Sequence, residues 1–174
     1  MSFRLGIIGL CTSHPTNWVP IIRELSGEAL VINAVWDSAE VKEPGYAKTF
    51  QEQYEIPHLV EKLKDMVPLV DGVIVHSANW DRHIEQAELF IEADKAVFID
   101  KPVVGNLADA NRLLDWEAQG KRITGGSSLR YTREVREYLG WPVEERGTPH
   151  SAHAVCGTDE FNYGIHAYSL IASL

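Results

Sequence analysis

Five short apolar runs alternate with amphipathic stretches across residues 1–125, and that alternation leaves the chain few ways to fold. Phe3-Arg4-Leu5-Gly6-Ile7-Ile8-Gly9 is almost continuously apolar and closes on glycine, the pattern of a strand covered on both faces. Leu30 to Trp36, Gly72 to Val75, Ala96 to Ile99 and Arg122 to Thr124 repeat it. Between them the apolar period lengthens to that of a helix. The stretch after Pro15 puts Trp18, Ile21, Ile22 and Leu25 on one face; Asp81 to Ala93 does the same with Ile84, Ala87, Phe90 and Ile91. Tyr46 to Tyr54, a short segment near Leu59 to Asp65, and Leu107 to Gln119 complete the predicted helices. Strands linked by such helices form right-handed parallel crossovers. The fold class predicted for 1–125 is α/β, a Rossmann-type doubly wound parallel sheet.

The pattern changes after Gly125-Gly126. A helix is predicted over Thr132 to Leu139, a Gly- and Pro-punctuated connection over Gly140 to Pro149, a strand over Ser151 to Val155 and a helix over Asn162 to Leu174. The last helix ends apolar, on Leu170-Ile171-Ala172-Ser173-Leu174. Residues 126–174 therefore read as the start of a second, truncated α+β domain for substrate binding and oligomerisation, its apolar face covered by another copy in a homo-oligomer.

A formal charge of −9 without a basic run argues against nucleic acid or an anionic membrane as partner. Two cysteines, Cys11 and Cys156, suit a reducing compartment better than a disulfide scaffold. The apolar stretch from Leu5 to Cys11 is too short to span a bilayer and has no cleavage site, so the expectation is a cytoplasmic protein with no membrane partner.

In a doubly wound sheet the ligand lies beside the first strand-to-helix turn. Here that turn is Gly9-Leu10-Cys11-Thr12-Ser13-His14. Against G-x-G-x-x-G only Gly9 matches; Cys11 and His14 hold the second and third glycine positions. A helix N-terminus still offers N–H groups and positive dipole to a pyrophosphate, and Thr12 and Ser13 add hydroxyls. His14 either lines that site or caps its own helix. Asp37, at the end of the second strand, can accept from an adenosine ribose and would repel a 2′-phosphate, which favours NAD over NADP; its alternative role is a turn or cap residue.

Three further segments, Ser77-Ala78-Asn79-Trp80-Asp81-Arg82-His83, Asp100-Lys101-Pro102 and Asn162-Tyr163-Gly164-Ile165-His166, together resemble the glucose-fructose oxidoreductase / inositol dehydrogenase (Gfo/Idh/MocA) family of NAD(P)-dependent oxidoreductases. The resemblance runs over the whole chain but corresponds to the first half of such an enzyme. It implies an NAD-dependent oxidoreductase that transfers hydride to or from a sugar, polyol or related hydroxylated small molecule. The family's T-P-N-x-x-H turn beside the nicotinamide corresponds to Ser77, Asn79 and, one residue beyond the motif's spacing, His83. Its E-K-P corresponds to Asp100-Lys101-Pro102, with Lys101 reaching the substrate oxygen and the nicotinamide ribose. Its D-x-x-x-H pair corresponds to Asn162 and His166, with His166 carrying the proton and Asn162 orienting it.

The resemblance thus implies catalytic roles for Lys101, His166 and Asn162. It places Gly9, Leu10, Cys11, Thr12, Ser13, His14, Asp37, Ser77, Asn79, His83, Asp100 and Lys101 around NAD. Alcohol oxidation needs a proton acceptor and a cation near the reacting oxygen, which suit His and Lys. Asn at 162 can orient an imidazole but cannot stabilise its charged form. With Cys11 and His14, that substitution motivates the alternative, a non-catalytic nucleotide- or sugar-binding module. Arg130 stands where the family often has Arg near the cleft. No metal site is expected: Cys11 and His14 lack a completing Cys/His pair, and His150 and His153 would face opposite sides of a strand.

Overall fold

The computed structural model describes residues 1–174, except the side chain of Phe161. The chain divides into two compact units, Met1–Gly125 and Gly126–Leu174.

In the first unit the apolar runs become β1 (Phe3–Ile8), β2 (Leu30–Trp36), β4 (Gly72–Val75), β5 (Ala96–Asp100) and β6 (Ile123–Gly126), joined by a two-residue β3 (His58–Leu59). The sheet order is β3-β2-β1-β4-β5-β6 and every registered strand pair is parallel. Helices α1 (His14–Ser26) and α2 (Tyr46–Gln53) belong to one wing; α3 (His83–Glu92) and α4 (Leu107–Ala118) belong to the other. Two cores result. Leu5, Ile7, Val19, Ile32, Val35 and Phe50 pack together on one face of the sheet. Ile8, Val73, Val75, Phe90, Ile99 and Trp116 pack on the other.

A one-residue irregularity keeps both faces apolar along β2. The β1–β2 register runs Leu5↔Ile32 and then Gly6↔Ala34, so Asn33 is an extra residue. Ile32 and Val35, three apart, therefore share a face that strict alternation would deny them. The unpaired Asn33 uses its amide to donate to Leu69 O at 2.7 Å.

Two sequence expectations in this unit need correction. The segment from Leu59 to Asp65 is not a helix. His58–Leu59 pairs with Ala34–Val35 as the edge strand, and a 3₁₀ helix follows over Leu63–Leu69. Pairing with an existing strand outweighed the weak helical period of so short a stretch. The buried stripe of α1 is also rotated: Pro15 and Val19 are buried and Trp18 and Ile22 pack beside them, whereas Ile21 is 51% and Leu25 81% exposed. Both sets obey the i, i+3, i+4, i+7 spacing, so periodicity alone could not choose between them.

Pro20 lies inside α1 and has no N–H for the Thr16 carbonyl. The Tyr54 hydroxyl, just past α2, donates to Thr16 O at 3.2 Å and satisfies it.

The second unit holds a 3₁₀ turn (Ser128–Tyr131), α5 (Arg133–Gly140), α6 (Val143–Arg146), a π-helical turn (Glu160–Gly164) and α7 (Ile165–Ile171). Residues 151–155 do not form the expected strand. No neighbouring strand in this unit offers a ladder, and an unpaired strand is not stable in water. The expected single helix from Asn162 instead begins as the π turn and becomes α-helical at Ile165. Among the described residues, no helix is long and apolar enough to cross a membrane.

Tyr54→Phe is expected to cost about 0.5–1 kcal/mol of stability, because it removes the hydroxyl donor to the Thr16 carbonyl. In a Pro20→Ala background, where an N–H is restored, the same change should cost a few tenths at most. Urea denaturation of the four proteins measures this coupling, and an equal cost in both backgrounds would refute the account.

Candidate functional site

β1 lies between β2 and β4, so the winding of the sheet reverses there, and ligands of such sheets bind beyond the carboxyl ends of these strands. The residues leaving the strands at that edge are the Gly9–His14 loop, Asp37, His76-Ser77 and Asp100-Lys101.

Gly9 has φ +85°, and a Cβ there would lie 2.7 Å from Ser77 Oγ and 2.8 Å from Ser77 N. Only glycine fits so close an approach. Leu10 N–H donates to Asp37 Oδ1 at 2.7 Å, with Cys11 Sγ 3.9 Å from the same oxygen; Asp37 Oδ2 accepts from Ala39 N at 3.0 Å. Asp37 thus binds the loop and its own turn, combining the expected position with the turn role. Among the described residues the N–H groups of Cys11, Thr12 and Ser13 have no protein acceptor, and Ser13 makes no side-chain cap. The Thr12 hydroxyl accepts from His14 N at 3.2 Å. The two side chains in glycine positions diverge, Cys11 toward Asp37 and His14 toward Asp100.

Other predicted site residues are engaged by the protein. Ser77 Oγ donates to Gln86 Oε1 at 2.7 Å, and buried His83 lies between Ser77 O (2.7 Å, Nε2) and Pro102 O (2.9 Å, Nδ1). His83 therefore ties the β4 loop to the β5 loop, which is a positioning role. Exposed Asn79 caps a 3₁₀ turn by accepting from Asp81 N at 3.2 Å. Lys101 is half-buried, its N–H donates to Asp100 Oδ1 at 2.7 Å, and its bond to Pro102 is cis.

In the second unit, Ser127 Oγ lies 2.6 Å from His166 Nδ1. The Asn162 amide donates to Asp159 Oδ1 at 3.0 Å, and Arg130 is exposed. Sequence reasoning missed Ser127, Trp18 and His76. For His76 a signal existed, a titratable residue closing the apolar run Gly72-Val73-Ile74-Val75.

A family model described as "Oxidoreductase family, NAD-binding Rossmann fold" (GFO_IDH_MocA) matches residues 3–125. The chain belongs to the Gfo/Idh/MocA family. "Putative oxidoreductase YceM" of Salmonella typhimurium is 30% identical over 158 residues, covering 88% of this chain and 49% of the relative. Two solved Lactobacillus casei enzymes share the fold. Scyllo-inositol dehydrogenase with NAD(H) and scyllo-inositol has TM-score 0.67 at 18% identity, covering 84% of this chain and 42% of that one. Myo-inositol dehydrogenase with NAD(H) and myo-inositol has TM-score 0.64 at 21% identity, covering 79% and 40%. The chain spans about half the length of the curated relatives it matches.

Of the two departures from the G-x-G-x-x-G pattern in this Gfo/Idh/MocA chain, His14 is drawn into a buried polar cluster. Asp100, 4% exposed, accepts at Oδ2 from His76 Nδ1 at 3.1 Å and from His14 Nδ1. Burial pushes the Asp100 carboxyl up, but the hydrogen bonds it accepts from His14 and His76 outweigh that and hold the group well below the usual carboxylate range. Burial dominates at His76, 1% exposed, and pushes its imidazole below its ordinary value despite Asp100.

Both groups bind protons less readily folded than unfolded, so both contributions are present at neutral pH and disappear on acidification. The His76 contribution fades as pH falls through about 6.5 and that of Asp100 as pH falls through about 4. Urea midpoints measured with a chelator present should drop by the equivalent of about 1 kcal/mol or more between pH 7.5 and 5, and less in His76→Gln. A flat profile would contradict the burial of a neutral His76.

Proposed function

We propose that this chain is the cofactor-binding half of an NAD-dependent oxidoreductase that moves hydride to or from a sugar, polyol or related hydroxylated small molecule. One observation carries the reading: at the winding reversal of a family-matched sheet, Gly9 packs without a Cβ against Ser77, and among the described residues the N–H groups of Cys11, Thr12 and Ser13 have no protein acceptor. Such a cradle suits a pyrophosphate. Side chains in two glycine positions do not fill it, because Cys11 turns to Asp37 and His14 to Asp100.

Asp37 keeps unused lone pairs for a ribose hydroxyl, and its charge disfavours the 2′-phosphate of NADP. A nicotinamide dinucleotide bound there supplies the hydride acceptor or donor. Lys101 opposes the negative charge that develops on the reacting oxygen, and Asp100 fixes its backbone. His166 takes the hydroxyl proton, its Nδ1 held by Ser127 so that one ring nitrogen stays oriented. Ser127 thus orients the imidazole, as the family's carboxylate partner does, but carries no charge to stabilise its protonated form. The inositol dehydrogenases with NAD(H) and inositol support the polyol class.

Calorimetric titration tests the cofactor first: NAD should bind, with NADP at least about tenfold weaker, the discrimination lost in Asp37→Ala. Reduction of NAD by inositols and hexoses should fall about 100-fold or more in Lys101→Ala while NAD affinity changes only a few-fold. Absence of NAD and NADH binding at millimolar ligand would end this reading.

A further inference from the structure

We propose that His14, His76 and Asp100 form a binding site for one divalent transition-metal ion of borderline softness, with zinc as the type case. Three separate segments deliver these residues: the first position of α1, the position just after β4 and the last position of β5. Each offers one ligand atom, and the three atoms lie within 4.8 Å of one another. The site goes beyond the dinucleotide reading and does not depend on it.

The donor set selects the class of ion. Two imidazoles and one carboxylate suit zinc, cobalt and ferrous iron, whereas calcium and magnesium prefer oxygen ligands. Metal–ligand bonds of about 2.0–2.1 Å in tetrahedral geometry place neighbouring ligand atoms roughly 3.3 Å apart. His76 Nδ1 and Asp100 Oδ2 are 3.1 Å apart, close to that edge. His14 approaches the same oxygen, and with 28% of its side chain exposed it is the ligand with room to adjust.

The surroundings resemble an outer coordination shell. Lys101 N–H holds Asp100 Oδ1 at 2.7 Å, which leaves Oδ2 facing the imidazoles as a single-oxygen ligand. Trp18 stacks on His14 at 5.6 Å and meets His76 edge-on at 4.9 Å, fixing both rings. Three protein ligands leave a fourth position for water or a ligand oxygen, as in open rather than closed zinc sites.

The test uses the full 174-residue chain, stripped with a chelator and titrated with Zn(II) alone and, separately, Co(II). The expected result is one equivalent bound with micromolar or tighter affinity, and the visible absorption of four-coordinate Co(II). His14→Ala, on the partly exposed ligand, should keep the far-ultraviolet dichroism and weaken binding by more than about 100-fold, beyond the loss of an outer-shell partner. Asp100→Asn should do the same. Replacing the exposed His150 and His153 by alanine should leave affinity unchanged. Failure of the folded wild-type chain to bind either ion at millimolar concentration would overturn the site, as would binding that survives His14→Ala. Repeating the titration after the NAD measurement separates the two readings, because loss of either leaves the other standing.

Discussion

The exits of β1 and β4 come so close that position 9 has no space for a side chain, since Ser77 backbone would meet it at under 3 Å. The rest of the carboxyl edge depends on this contact. It turns the chain at positive φ directly out of the buried end of β1. It brings Leu10 N–H onto Asp37, and it leaves the N–H groups of Cys11, Thr12 and Ser13, just before α1, without a protein acceptor among the described residues. A Cβ at 9 would force β1 and β4 apart where both are held in the parallel ladder. Backbone proximity, more than any side chain, makes the cradle.

Polar groups behind that contact hold the edge together. His83 joins Ser77 O to Pro102 O, so the loops after β4 and β5 cannot separate without exposing buried carbonyls. Asp100 gathers His14 from the loop that a family glycine would otherwise close. The bulky residue in the third glycine position is therefore turned toward Asp100, while Cys11 in the second turns to Asp37.

The parallel sheet was legible because its central strands are mostly buried on both faces, and a doubly buried strand must be written as an apolar run. The apolar runs of β1, β4 and β5 and the buried face of α3 follow directly from that. Elements governed by partners distant in sequence were not legible. β3 exists because β2 offers it an edge, and residues 151–155 are not a strand because nothing in their unit pairs with them. The face of α1 was ambiguous because two stripes satisfy one spacing.

Among the site residues, Gly9, Asp37 and Lys101 stood out by their place after strands, since topology puts strand ends together at one edge. Their partners did not stand out, because a hydrogen bond such as Ser127 to His166 carries no sequence period. By itself, the order of apolar runs determined the α/β class, the strand ends and the residues that meet there. Only the tertiary structure decided how those residues pair: that Cys11 and His14 part to opposite neighbours, that His83 serves the backbone, and that His14, His76 and Asp100 converge. The physical reason is range. Burial leaves its mark on every residue of an element, whereas a contact between loops depends on ångström-scale geometry that neither loop encodes alone.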